Sequence, residues 1–167
     1  MKQQIKNILT VVTNETLGKL AFLFAFPDDE RVHDGPAPAM TGRVDFNGYF
    51  CGSLLMRISH GAATELATNM LGLDDDSEVS DEQQQDAFKE MLNVICGNLL
   101  PAIAGDQVEF NIGPPTVLAE KDAAIELNNK QPLCVARLML EGGFCDVYFF
   151  SDQQLEEDIL LKASAQI

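Results

Sequence analysis

The sequence predicts an α/β chain of the α+β type, two layers in which a mainly antiparallel sheet packs against long helices. Apolar residues recur at helical spacing within residues 2–20, 60–71 and 80–105, and period two takes over at 43–58 and 133–151, each time around a turn signal. No internal repeat interrupts the order helix, hairpin, helix, helix, strands. With 167 residues, 46% of them hydrophobic, the chain suffices for one buried core, so a single domain over residues 1–167 is expected.

The first helix follows from Ile5, Ile8, Leu9, Val12, Thr16 and Leu20, which place one stripe against the core. Residues 27–41 are rich in proline, glycine and charge, and read as a surface loop that includes His33. Asn47-Gly48 is the strongest short-range signal for a two-residue type I′ turn, here between strands at 43–46 and 49–58. His60 opens the second helix, which puts Ala63, Leu66, Ala67 and Met70 on one side and meets Gly72 as its stop.

The acidic stretch that follows approaches an EF-hand calcium loop, but Val79 stands where that loop needs glycine, so the run from Asp74 to Asp76 is expected to be solvated. Ser80 with Gln83 forms a capping box, and Asp81 and Glu82 suit the positive end of the helix dipole. The long helix therefore starts there. Pro101 bends its last turn and Gly105 ends it. Strands at 108–112 and 116–120 flank Gly113-Pro114-Pro115. In the final hairpin Cys134, Ala136, Leu138 and Leu140 form an apolar face, whereas Val135, Arg137 and Met139 form a mixed one, either wet or set against a second subunit. Residues 152–167 are expected as a tail or short helix.

Composition excludes several function classes. Acidic residues outnumber basic ones 26 to 11, and a formal charge of −15 repels nucleic acid and anionic lipid. No apolar run approaches the roughly 18 residues that span a bilayer, and the N-terminus lacks a secretion signal, so a cytoplasmic protein is expected. The four cysteines are widely spaced and read as buried free thiols. With two histidines and no H-x-x-x-H spacing, neither a metal centre nor a histidine triad is supported; His33 and His60 read as surface or capping residues. Phosphate-cradling glycine motifs are missing too.

The informative pattern lies on the long helix, where Asp86, Glu90 and Asn93 follow D-x-x-x-E-x-x-N. Together with Gly97 they fall within about 60° on the helical wheel, opposite Phe88, Leu92, Ile95, Leu99 and Ile103. The core is thus accounted for without them. Gly97 costs about 1 kcal/mol relative to alanine in a helix and buries nothing of its own, which leaves a bare patch for a partner to approach. An exposed amide offers both a donor and an acceptor and can hold a water, while a carboxylate one turn away can pair with a partner's lysine.

The segment from Asp86 through Asn93, followed by Gly97-Asn98, resembles the signature helix of the CheC/CheX-type chemotaxis phosphatases, which remove phosphate from the phospho-aspartate of a response regulator. The order of elements is similar to the single-module, CheX-like layout across most of the chain. The resemblance implies a CheC-like fold, with Glu90 anchoring the regulator through its active-site lysine and Asn93 orienting the attacking water. Asp86 and Gly97 would serve docking, the likeness implies a homodimer, and Mg2+ would belong to the regulator, with no cofactor bound by this chain. Pro114 and Pro115 stand near the family's downstream proline. The first helix reads Asn14-Glu15-Thr16-Leu17-Gly18, with glycine in place of the second asparagine of two-module relatives, so one active stripe per chain is implied. The alternatives are a non-enzymatic module that binds or sequesters a regulator, and a structural domain whose polar stripe is merely wet.

Overall fold

The computed structural model describes residues 1–31, 37–153 and 155. In chain order they form α1 (Lys2–Ala21), β1 (Phe26–Pro27), β2 (Met40–Gly48), β3 (Gly52–Ile58), α2 (His60–Leu71), α3 (Asp81–Ala104), β4 (Phe110–Ile112), β5 (Thr116–Leu118), α4 (Glu120–Asn129), β6 (Cys134–Leu140) and β7 (Gly143–Ser151). The sheet runs β1-β6-β7-β3-β2-β4, with β5 also on β2, and every pairing is antiparallel. The expected fold class is the observed one.

One face of the sheet carries the core. Val44, Leu54, Met56, Ile58, Ala136, Leu138, Val147 and Phe149 meet Ile5, Leu9 and Leu17 of α1, Leu66 of α2 and the buried side of α3. The apolar face expected for Cys134, Ala136, Leu138 and Leu140 is buried as read. On the opposite face a smaller cluster of Leu55, Tyr148 and Phe150 is covered in part by Leu127 of α4, and Arg43 reaches Glu126 of the same helix. Burial weakens the Arg43 guanidinium, yet Asp45 and Glu126 outweigh it and raise its pKa above the ordinary value.

Several boundaries differ from the sequence expectation, each for a physical reason. Residues 27–41 are not loop throughout: Pro27 pairs with Leu138, and Met40 and Thr41 pair with Ile58 and Arg57. His33 lies outside the described residues. The Asn47-Gly48 turn is not a two-residue hairpin, because Phe46 pairs with Gly52 and leaves residues 47–51 as the connection. Asn47 and Gly48 instead continue β2 against Asn111 and Phe110. The wider loop inserts Phe50, only 1% exposed, edge-on against Phe46 and Phe110 with ring centroids 5.6 and 5.0 Å away. Burial of one aromatic ring is worth about 1.5–3 kcal/mol, more than a turn preference.

The strand expected at 116–120 ends at Leu118, and Glu120 begins α4, a helix absent from the sequence expectation. The strand expected at 108–112 starts only at Phe110. Of the C-terminal stretch 152–167, residues 152, 153 and 155 are described, with Leu155 buried in the core; the rest lies outside the described residues.

Candidate functional site on the long helix

Ser80 starts α3 as read from sequence. Its hydroxyl accepts from the Gln83 backbone N–H at 3.1 Å, and the Gln83 side chain accepts from the Ser80 N–H at 3.0 Å. From that fixed start the helix runs 24 residues, and Phe88, Met91, Leu92, Ile95, Leu99, Leu100 and Ile103 all point into the core. Each such side chain contributes about 1.5–3 kcal/mol on burial, which together far exceeds the roughly 3 kcal/mol that Pro101 costs inside the helix. The helix therefore continues through the proline to Gly105, whose N–H reaches the Pro101 carbonyl at 2.7 Å.

The burial of that face sets the stripe on the other. Asp86, Glu90 and Gly97 are exposed and Asn93 is half-buried, in the arrangement expected from the sequence. Asp86 leans on Lys89 at 3.7 Å, an exposed pair of small energetic weight. The side chains of Glu90 and Asn93 make no hydrogen bond or ion pair among the described residues. A carboxylate and an amide, one turn apart and both unengaged, are free to meet a partner.

Gly97 is bare in fact as well as in sequence: a Cβ built there meets only Ile112 Cδ1, at 3.9 Å. Pro101 has no N–H, so the Gly97 carbonyl, four residues earlier, loses its ordinary helical donor. Beside it, Asn98 Nδ2 donates to Thr16 Oγ1 of α1 at 3.3 Å. Ile112 and Asn98 are the neighbours that sequence reasoning left without a role. Alternation along β4 carries a signal for the first, since Phe110 and Ile112 share a face and Phe110 packs into the core.

Among the described residues no thiol beside the stripe is poised to act as a covalent nucleophile. Cys96 adjoins Gly97 but lies on the buried side, and burial pushes its thiol up to about 12. The Cys134 thiol is likewise raised by burial to about 12, and Cys145 is raised further. All four cysteines are free; three are buried and Cys51 is half-buried. Among the described residues no group of three or more histidine, cysteine, aspartate or glutamate side chains is placed to hold a metal. No helix among them is long and apolar enough to cross a membrane.

A fully antiparallel sheet backed by long helices on one face is the fold of the CheC-like class of chemotaxis proteins. Within that class the chain belongs to the CheX family, whose model, Chemotaxis phosphatase CheX, matches residues 40–138. The matched stretch contains all of α3. No curated protein matches the sequence significantly. Among solved structures, a chemotaxis protein CheX from Desulfovibrio desulfuricans aligns over 89% of this chain and 99% of its own, at 18% identity and a TM-score of 0.68. A chemotaxis protein CheX from Vibrio vulnificus aligns over 91% and 99%, at 16% identity and 0.68. The chain also aligns with the CheX–CheY–BeF3–Mg2+ complex from Borrelia burgdorferi, over 88% and 97%, at 18% identity and 0.66. These likenesses establish the fold.

Proposed function

We propose that the protein hydrolyses the phospho-aspartate of a response regulator in chemotaxis or a related two-component pathway of the cytoplasm. The observation that carries this is the unengaged pair Glu90 and Asn93, side by side on the solvent face of α3 within the matched family segment. Asn93 holds a water through its amide, in line with the phosphorus. Glu90 pairs with the regulator's active-site lysine and fixes the register. The water oxygen attacks phosphorus, the phosphorus–oxygen bond to the aspartate breaks, and inorganic phosphate and a free carboxylate result. No intermediate forms on this chain, in keeping with thiols held protonated by burial. Mg2+ sits in the regulator's acidic pocket and neutralises the transferring group, so positioning is what this chain supplies. Asp86 and Gly97 belong to the docking surface. The Borrelia complex, which pairs a CheX with a CheY, supports a regulator as the partner.

The protein also acts as a homodimer in this proposal, through the open edge at β1. The mixed face first considered is largely engaged, since Val135 packs against the Leu55 cluster and Arg137 reaches Asp146 at 3.5 Å. Met139 remains, 51% exposed and paired in register with Phe26, which with Phe22 and Phe24 is more than 60% exposed. Such a row of aromatics, running from the end of α1 onto the outermost strand, suits a second copy of the same edge.

The test is the decay of an acetyl-phosphate-charged regulator from the same genome. Wild type accelerates it, Asn93→Ala loses about 100-fold in turnover while still binding, and Glu90→Ala weakens binding. Binding of the charged regulator without any acceleration would make the protein a sequestering module instead.

A further inference from the structure

Gly97 has an apolar neighbour that belongs to neither the core nor the helix. Ile112, the last residue of β4 and 36% exposed, comes within 3.9 Å of the position a Gly97 Cβ would take. Its strand lies at the edge of the sheet and, among the described residues, pairs only with β2. Phe110, two residues earlier on the same face, anchors it through ring contacts to Phe46 and Phe50 at 6.1 and 5.0 Å. Ile112 is therefore held in place from below while its outer surface stays open. Side chains on a helix tilt toward its N-terminus, so the space Gly97 leaves vacant lies on the Asn93 side, about 6 Å along the axis.

We propose that Ile112 and Gly97 form an apolar docking step for the phosphorylated receiver domain, beside Glu90 and Asn93. The inference rests on the phosphatase reading of that stripe and adds Ile112 to it as a docking residue. Asp86 and Glu90 put two exposed carboxylates on the stripe, and these match a lysine presented by the partner. Charge brings the partner to this face without fixing its distance. A neutral step that a backbone can approach closely adds apolar contact and so holds the partner on this face.

The experiment measures binding of the beryllofluoride-loaded regulator and, separately, turnover of the phosphorylated one. Ile112→Asp is expected to raise both Kd and KM about tenfold with kcat within about twofold of wild type. Gly97→Leu is the second variant: its Cβ meets only Ile112 Cδ1, at 3.9 Å, and leucine favours the helix over glycine, so its Tm is expected at or above wild type and a Tm measured there separates weakened binding from lost folding. Wild-type affinity in both variants would overturn the step while leaving the phosphatase reading intact. Regulator binding by wild type that weakens in both variants, without hydrolysis in any, would overturn the phosphatase reading and uphold the step. No binding by wild type would overturn both.

Discussion

Asn98 Nδ2 donates to Thr16 Oγ1 at 3.3 Å, and Thr16 Oγ1 in turn donates to the Val12 carbonyl at 2.7 Å, so the helix that carries the stripe is tied to α1 by a two-bond relay. Asn98 immediately follows Gly97, which gives this asparagine a positioning role distinct from that of Asn93. Asn98→Ala should cost about 1 kcal/mol, or roughly 2–4 °C in Tm for a chain of this size. Thermal unfolding checks the loss, and kcat at saturating regulator should fall by less than about threefold, because the amide touches α1 and not the water.

Gly42 fixes how closely α3 lies on the sheet. A Cβ there would stand 2.4 Å from Phe88 Cε1 and 3.1 Å from Leu92 Cδ2. Phe88 and Leu92 are both fully buried, so the helix cannot yield without displacing its neighbours. Gly42→Ala should destabilise the fold by about 1–3 kcal/mol, seen in the denaturant midpoint. Any lift of α3 also moves Asn93, so kcat should drop more than KM rises.

The parts of the molecule legible in the sequence are those decided locally or by a strong period. Ser80 and Gln83 announced the start of α3, Gly72 the end of α2, and the 3.6-residue repeat alone placed Glu90 and Asn93 on the open face. Helix α4 escaped because Ala123 is the only one of its residues that is buried, so it has no apolar stripe to read. Phe50 defeated the Asn-Gly signal because its burial is a tertiary gain that a turn propensity does not contain. Ile112 gained its place from β2, more than 60 residues earlier, through pairing with Phe46. Non-local pairing of that kind leaves no trace in a window of sequence.

Asp146 sits in the middle of a cross-strand row between Arg57 and Arg137, is 4% exposed, and also pairs with Arg31. Burial favours its neutral form more than Arg31 and Arg137 favour the charged one, so its pKa is raised above 3.8. The folded state thus holds this proton more tightly than the unfolded chain does. Its contribution to stability is complete below 3.8, falls as pH rises from there through the folded value, and is level above it. Urea unfolding of wild type and Asp146→Asn across that window should show the wild-type advantage shrinking with rising pH. An advantage that grows instead would mean that the arginines outweigh burial. Asp146→Ala, which removes the carboxylate that Arg31 and Arg137 share, should cost about 2–4 kcal/mol near neutrality.

The proposed dimer makes the most demanding quantitative statement. Phe24 is 77% exposed and Phe26 66%, either side of Ala25, which is buried at 5%. Full burial of an exposed phenylalanine is worth about 1.5–3 kcal/mol, and in a two-fold interface each substitution acts twice. Phe24→Asp should therefore remove about 3–6 kcal/mol of association and add two facing carboxylates, raising the dimer dissociation constant more than about a hundredfold. Sedimentation velocity should find a dimer for wild type and a monomer for Phe24→Asp at the same concentration, with unchanged far-ultraviolet circular dichroism. The stripe on α3 is contributed by one chain, so turnover per chain should persist in the monomer, and its loss there would place a residue of the second copy at the site.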